Sequence, residues 1–361
     1  MTVFFDRLAH WYDENRRSLP WRDIDNPYYI WISEVILQQT RIEQGMPYYF
    51  RFIETFPTVK ALADADEQTV LKCWQGLGYY TRARNLHAAA KQIISDFKGV
   101  FPNRYDDIVS LKGVGRYTAA AVASFAFGLP YPAIDGNVMR VATRIFGIFE
   151  PINTAKAYKS IEEILKKHQP KEHAALFNHA MMDFGATFCM PQNPSCERCC
   201  FADMCVANRQ QKQDLLPVKQ SKVKPKDRYL GYLVVICNAG EGKKLLMNRR
   251  EGKDIWKNLF DFPLLYDCLE PVWEADKEKV FGDLLPEVTQ FVSKSVTPSR
   301  EYLHVLSHFR IHAVFYTVEI SGSEAKKMNK QRGEWVSTAN LSDYPLPRLV
   351  DKYVKRVFNL R

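Results

Sequence analysis

Glu34 and Asp135 are the two side chains of this sequence best suited to acid–base chemistry. Glu34 stands among Ile30, Trp31, Val35, Ile36 and Leu37, where a carboxylate is costly to bury unpaired. Burial disfavours its charged form and lifts its pKa toward neutrality, as a general acid requires. Asp135 follows a breaker, Pro130 and Pro132, and heads Gly136-Asn137-Val138, the position of a helix N-cap. Gly115, twenty residues upstream of it, belongs to Leu111-Lys112-Gly113-Val114-Gly115-Arg116-Tyr117-Thr118, which reads as helix, tight turn, helix. Gly113 and Gly115 allow a sharp turn and close approach to another surface. The free amides opening the second helix favour an anion, and Lys112 and Arg116 suit a phosphate backbone. Each feature also has an ordinary reading: an exposed glutamate, a simple cap, a short connection. What weighs against the ordinary readings is the pair at this separation, joined by the further motifs below.

A second constellation is Cys189-x6-Cys196-x2-Cys199-x5-Cys205, in a loop that also contains Pro191 and Pro194. Four thiols this close suit zinc or an iron–sulfur cluster. Structural zinc more often uses two separated close pairs, and here there is one. Cys200 is a competing neighbour; Cys73, Cys237 and Cys268 are isolated and read as packing residues. The amino-terminal residues show no basic region followed by an apolar core, and no apolar run approaches membrane-spanning length. These readings predict a cytoplasmic protein in a reducing compartment, where clustered cysteines bind metal rather than pair.

The elements that must position these groups follow from periodicity. The 361 residues predict at least two domains. An amphipathic helix spans 4–17. Leu19-Pro20-Trp21-Arg22 breaks it, and Asn26-Pro27 starts the helix that carries Glu34. Residues 58–98 read as a helical pair joined through Gly76-Leu77-Gly78-Tyr79-Tyr80, a turn able to hold an aromatic wedge between bases. Residues 153–188 form two further helices. Residues 206–227 are polar and basic and read as a linker. Strand patterns follow at 229–237, 244–248 and 303–320, the last broken near Ser307-His308, before a closing helix at 346–358. The predicted fold is therefore multidomain, all-α first and α+β second. Net charge is +9, and the basic excess is spread: 28 Lys and Arg against 23 Asp and Glu up to residue 225, then 22 against 18. Both halves could lie along one polyanion.

With these motifs in order, the chain resembles the MutY-type adenine DNA glycosylases, of the helix-hairpin-helix, endonuclease-III-like superfamily, over nearly its whole length. The resemblance rests on Leu19–Arg22, Ser33–Thr40, Gly76–Tyr80, Gly113–Thr118, Asp135–Val138 and the four cysteines. It implies a glycosylase domain at 1–205, with a six-helix barrel module at 27–133 and a cluster module formed by 1–26 and 134–205. A Nudix-like domain at 228–361 is also implied. The expected substrate is adenine mispaired with 8-oxoguanine or guanine in duplex DNA, flipped from the stack. Glu34 would protonate the purine N7 and later activate water, and Asp135 would face the sugar, with Tyr117 and Asn137 assisting. Cys189, Cys196, Cys199 and Cys205 match the loop that holds one [4Fe–4S] cluster. DNA contacts are implied for Arg22, Gln39, Tyr79, Lys112, Gly113, Gly115, Arg116, Ser307 and His308.

Tyr117 occupies the position where strand-cutting relatives carry a lysine nucleophile, so base removal without strand cleavage is expected. The chain departs from the family at Leu306, where phenylalanine is usual, and at His179, where glutamate or glutamine is expected. No nucleotide-hydrolase box of the form Gly-x5-Glu-x7-Arg-Glu-x2-Glu-Glu is present. The second domain is therefore expected to recognise a damaged base without hydrolysing a nucleotide. Competing readings are a strand-cleaving glycosylase of the same fold and a non-enzymatic iron–sulfur DNA-binding protein. No feature demands more than a monomer.

Overall fold

The computed structural model describes residues 2–219, 224–239, 242–252, 254–271, 296–326 and 333–359. It divides into a helical unit, residues 1–65 with 84–221, and a sheet unit, residues 66–83 with 222–361.

The helical unit begins with α1 (Val3–Asn15), capped by the Thr2 hydroxyl. Its apolar stripe, Phe4, Phe5, Leu8, Trp11 and Tyr12, is buried. The Asn26 side chain accepts from the amides of Tyr28 and Tyr29 and starts α2 (Pro27–Ile36), as the Asn-Pro pair predicts. After α2 come α3 (Ile42–Thr55) and α4 (Val59–Asp64). Where a helical pair was expected over 58–98 there are three helices. Asp66 caps a separate α5 (Glu67–Cys73), and α6 spans Thr81–Asp96. The chain continues through α7 (Tyr105–Ser110), α8 (Arg116–Phe127), α9 (Gly136–Phe146), α10 (Ala155–His168) and α11 (Ala174–Asp183). A π-helical turn, Phe184–Phe188, then delivers Cys189.

Two small-residue devices set the site's geometry. Ala119 to Ala123 are all buried on α8, which lets α2 pack closely against that helix. At Gly185 a Cβ would come within 2.7 Å of Asn137 Cβ, so only glycine lets the π turn approach α9.

The main core joins α1 to α9, α10 and α11 and to Phe201, Cys205 and Leu216. This corrects the expected linker at 206–227. Its first part folds back as α12 (Val206–Arg209), Leu216 is only 1% exposed, and the Val218 carbonyl accepts from the Ile152 amide. A single apolar residue with a core to enter outweighs a polar composition.

The sheet unit contains β1 (Lys226–Ala239), β2 (Gly242–Arg249), β3 (Phe260–Asp261), β4 (Leu264–Cys268), β5 (Thr297–Pro298), β6 (Tyr302–Val305), β7 (Phe309–Ser321) and β8 (Glu334–Ser337). β1 pairs in parallel with β7, from Lys226 opposite Phe309 to Asn238 opposite Ser321. β2 and β4 add antiparallel to β1, and β5 and β6 to β7. The break expected at Ser307-His308 is the β6–β7 hairpin tip, and the closing helix α13 spans Arg348–Val357. The expected domain boundary shifts because residues 66–83 group with the sheet: the side chains of Gln68, Lys72, Gln75 and Tyr80 bond to residues 258 and 344–351. No helix among the described residues is long and apolar enough to cross a membrane.

Candidate active site

A cavity of about 360 Å³ opens in the helical unit between α2, α8, α9 and α11. Glu34, Tyr117, Asp135 and Asn137 all line it, together with Arg17, Arg22, Phe125 and His179. Its size is that of a small-ligand pocket.

Glu34 is 6% exposed, and its Oε2 accepts a 2.6 Å hydrogen bond from the Tyr117 hydroxyl. Burial lifts its pKa to about 7; the Tyr117 bond pulls it down, the Asp135 charge pushes it up and Arg22 lowers it. Tyr117 itself is held well above the usual tyrosine range, first by burial and then by the charges of Glu34 and Asp135. It therefore donates a proton in hydrogen bonding without giving it up.

Asp135 is both things the sequence offered. Its Oδ1 accepts from the Val138 amide at 2.7 Å as the N-cap of α9, and its Oδ2 accepts from Asn137 Nδ2 at 2.9 Å while the residue lines the cavity. Burial raises its pKa, and those hydrogen bonds and Arg140 oppose the rise. Arg140 fixes Asn137 in turn, donating to its Oδ1 at 2.9 Å and to the Gly185 carbonyl at 2.7 Å. The loop ahead of Asp135 is anchored by buried Asn178. That side chain accepts from the Ala133 amide and donates to Ser124 Oγ and the Tyr131 carbonyl.

Arg22 is placed otherwise than expected. Its guanidinium is buried and makes two 2.6 Å bonds to Asp183, so it forms cavity wall instead of reaching out to a phosphate. Arg17 bonds the same carboxylate. Burial would raise Asp183, but Arg22 and Arg17 bring it below the usual carboxylate range. His179 stacks on Phe125 with centroids 4.0 Å apart, and burial and the nearby Arg22 push its pKa to about 3. It is a neutral imidazole at physiological pH. Asp183 was missed in the sequence, although a carboxylate between Met182 and Phe184 carries the same signal as Glu34.

The other expected DNA-facing residues are exposed. Gly113 has φ 76°, and a Cβ there would meet Asn85 at 2.5 Å, so the turn requires glycine. Gly115 caps α8 without a side chain, which leaves amides available to an anion. Lys112 and Arg116 flank the turn and are exposed, Arg116 lying over the Tyr158 ring. Gln39 is exposed with φ 55°, and Tyr79, in the sheet unit, is 50% exposed with φ 48°. Left-handed backbone at non-glycine residues costs about 1–3 kcal/mol and persists where neighbours hold it. Ser307 and His308 are exposed at the β6–β7 tip.

Cys205 belongs to the core, and Cys189 and Cys199 pack against it. Burial raises Cys189, Cys196 and Cys205, and the neighbouring thiols add to the rise. Cys199 is raised first by its hydrogen bond with Cys200, which is lowered by the same bond. Arg144 Nη1 lies 3.4 Å from Cys189 Sγ, and the Phe201 amide donates to Cys199 Sγ at 3.4 Å. Such N–H donors stabilise charged sulfur. Among the described residues no three His, Cys, Asp or Glu side chains converge as ligands of one ion do. The donor set the loop offers is thiolate only, which suits either zinc or an iron–sulfur cluster.

Residues 32–170 match the helix-hairpin-helix superfamily of base excision DNA repair proteins, and residues 231–356 match the NUDIX domain. An adenine DNA glycosylase of Buchnera aphidicola subsp. Schizaphis graminum is 30% identical, with 98% of each chain covered. The chain belongs to the adenine DNA glycosylase family. Family members as distant as the human one, 28% identical, align over 89% of this chain and 68% of theirs. Among solved structures, a thermostable thymine-DNA glycosylase matches 58% of this chain and 96% of its own, with 30% identity and a TM-score of 0.54. A trapped endonuclease III–DNA covalent intermediate matches 57% and 94%, with 26% identity and a TM-score of 0.51. Both halves of the family's architecture, the helical repair domain and the Nudix-like domain, are thus present as expected.

Proposed function

We propose that this adenine DNA glycosylase hydrolyses the N-glycosidic bond of adenine paired with 8-oxoguanine or guanine in duplex DNA, acting on a flipped nucleotide. The observation that carries the reading is Glu34: a carboxyl lifted to about 7, hydrogen-bonded to Tyr117 and facing the same cavity as Asp135. Glu34 delivers its proton to the purine N7, and the glycosidic electron pair leaves with the base. Asp135, held at the sugar by Asn137 and the α9 amides, stabilises or captures the resulting cation. The Glu34 carboxylate then takes a proton from water as it adds to the sugar carbon. Two carboxylates divide the work, as in glycoside hydrolysis.

Among the described residues no lysine lines the cavity, and Tyr117 cannot form a Schiff base. This favours base removal without strand cleavage over the lyase reading. The hairpin amides with Lys112 and Arg116 grip the backbone, Gln39 and Tyr79 enter the stack, and Ser307 and His308 read the opposite base. Cys189, Cys196, Cys199 and Cys205 would hold one [4Fe–4S] cluster, which would crosslink the loop through its thiolates. The enzyme works where the chromosome is, in bacterial terms the cytoplasm.

Single-turnover incubation with duplexes carrying adenine opposite 8-oxoguanine, guanine, cytosine or thymine tests this. Adenine release from the first two, with no scission until alkali is added, is expected. Binding without release from any of them would favour the non-enzymatic alternative.

A further inference from the structure

Tyr79 is a strained, half-exposed aromatic in a turn with two left-handed glycines, Gly76 (φ 102°) and Gly78 (φ 75°). Within the turn, the Gly78 carbonyl accepts from Trp74 Nε1 at 3.1 Å and from Arg82 Nη2 at 3.4 Å. The residues on either side of the turn reach further. Gln75 Oε1 accepts from the Leu346 amide at 3.4 Å, and the Tyr80 hydroxyl donates to the Leu346 carbonyl at 3.1 Å. Both polar groups of one backbone residue are thus gripped by the two side chains that bracket Gly76–Tyr79. Gln75 Nε2 donates to Asp351 Oδ1 at 3.1 Å, and Lys72 Nζ to the Tyr344 carbonyl at 3.1 Å.

Leu346 lies between Pro345 and Pro347, which restrict φ and offer no amide of their own. The Pro345 carbonyl accepts from the Phe260 amide at 2.9 Å, fastening the same strap to β3. Tyr344–Pro347 is therefore a stiff link between the sheet and the Tyr79 turn, made almost wholly of backbone groups. We propose that this strap, acting through Gln75 and Tyr80, is the positioning device that holds Tyr79 in its strained conformation for insertion into damaged DNA. The inference rests on the reading of Tyr79 as a residue that enters the stack. It assigns Gln75, Tyr80 and Leu346 to discrimination of the mispair instead of the chemical step. Backbone recognition makes the link depend on the residue's place between the prolines, while the Leu346 side chain is itself buried.

The test uses the full chain and a duplex with non-hydrolysable 2′-fluoroadenosine opposite 8-oxoguanine, with 2-aminopurine next to the lesion as a stacking reporter. Tyr80→Phe and Gln75→Met are compared with Tyr79→Ala and with each double variant. Tyr80→Phe, which removes its bond to Leu346, is expected to weaken binding about three- to tenfold, and Gln75→Met, which removes more than one bond, at least as much. The reporter should shift toward its Tyr79→Ala value, with less than a twofold change in adenine release at saturating enzyme. On the Tyr79→Ala background neither substitution should weaken binding further. An equal loss on that background, an unmoved reporter, or a wild type that binds this duplex no tighter than a matched one overturns the proposal. Should Tyr80→Phe fail to fold, Gln75→Met alone decides between the same outcomes. Absence of adenine release by the wild type on the cleavable duplex would reject the glycosylase reading separately, since the binding comparison requires no chemistry.

Discussion

Glu34 and Asp183 are both buried carboxylates in the same helical unit, and their proton affinities move in opposite directions. Glu34 meets burial with a neutral hydroxyl and rises to about 7, while Asp183 meets it with two guanidiniums and falls below its usual range. Burial is the leading influence on each, so burial alone does not decide. The compensating partner does. A neutral donor leaves the proton mobile and available to a substrate; paired cations lock the charge in place and turn the carboxylate into structure. Asp261 sharpens the lesson. It too is raised by burial, yet its oxygen is occupied by Arg250 at 2.6 Å within the sheet unit, and it lines no part of the cavity that holds Glu34. A displaced pKa marks chemistry where the group also faces open space.

Exchanging the two roles should break this contrast. Glu34→Gln is expected to slow adenine release by about 10²–10⁴-fold with mispair binding retained, measured by single turnover and by titration. Asp183→Asn should leave Arg22 and Arg17 without their charge partner and cost about 3–5 kcal/mol of stability, read by denaturant unfolding. If Asp183→Asn were neutral in stability and Glu34→Gln cost as much, the assignment of roles would be reversed.

The pH dependence separates the pair further. Glu34 is raised in the folded state, so its contribution to stability is present at low pH and fades as pH rises through about 7. Asp183 is lowered, so its contribution is present above the usual aspartate range and fades as pH falls through its depressed folded-state value. Adenine release should decline on the alkaline side of about 7 as Glu34 loses its proton. Tyr117→Phe removes a bond that lowers the Glu34 pKa and should move that decline to higher pH. A limb that stays in place would detach it from Glu34. The smallest effect expected is at the exposed hairpin. Arg116→Ala should weaken binding of all duplexes alike and reduce the salt slope by about 1, leaving the single-turnover rate at saturating enzyme intact.

The sequence made Glu34 legible because one charged residue in an apolar run is a local contradiction that demands explanation. Asp183 posed the same contradiction, yet its answer lies more than 160 residues away in Arg17 and Arg22, beyond any local pattern. For Asp135 the structural and functional readings were never rivals, since capping α9 is what aims the second oxygen. Helix starts at Asn26-Pro27 and the strand break at Ser307-His308 were readable from cap and turn chemistry. The grouping of residues 66–83 with the sheet was not, because it depends on side chains reaching a proline-bounded backbone near residue 346. The expected linker failed at Leu216, where composition averaged over a window hid one core residue.

The joint core of α1 with α9, α10, α11 and Phe201 has a consequence for synthesis on the ribosome. Phe4 stacks on Phe201 with centroids 4.7 Å apart, and Arg7 bonds the Cys200 carbonyl at 3.1 Å. At about 5–20 residues per second, roughly 10–40 s separate the emergence of these partners. Over that interval the α1 stripe of Phe4, Phe5, Leu8 and Trp11 is covered in steps, by α9, α10 and α11 before Phe201 is made. The cysteine loop, followed only by Ala207 and Leu216 among the buried residues of that core, therefore completes a surface whose first half was translated roughly 200 residues earlier.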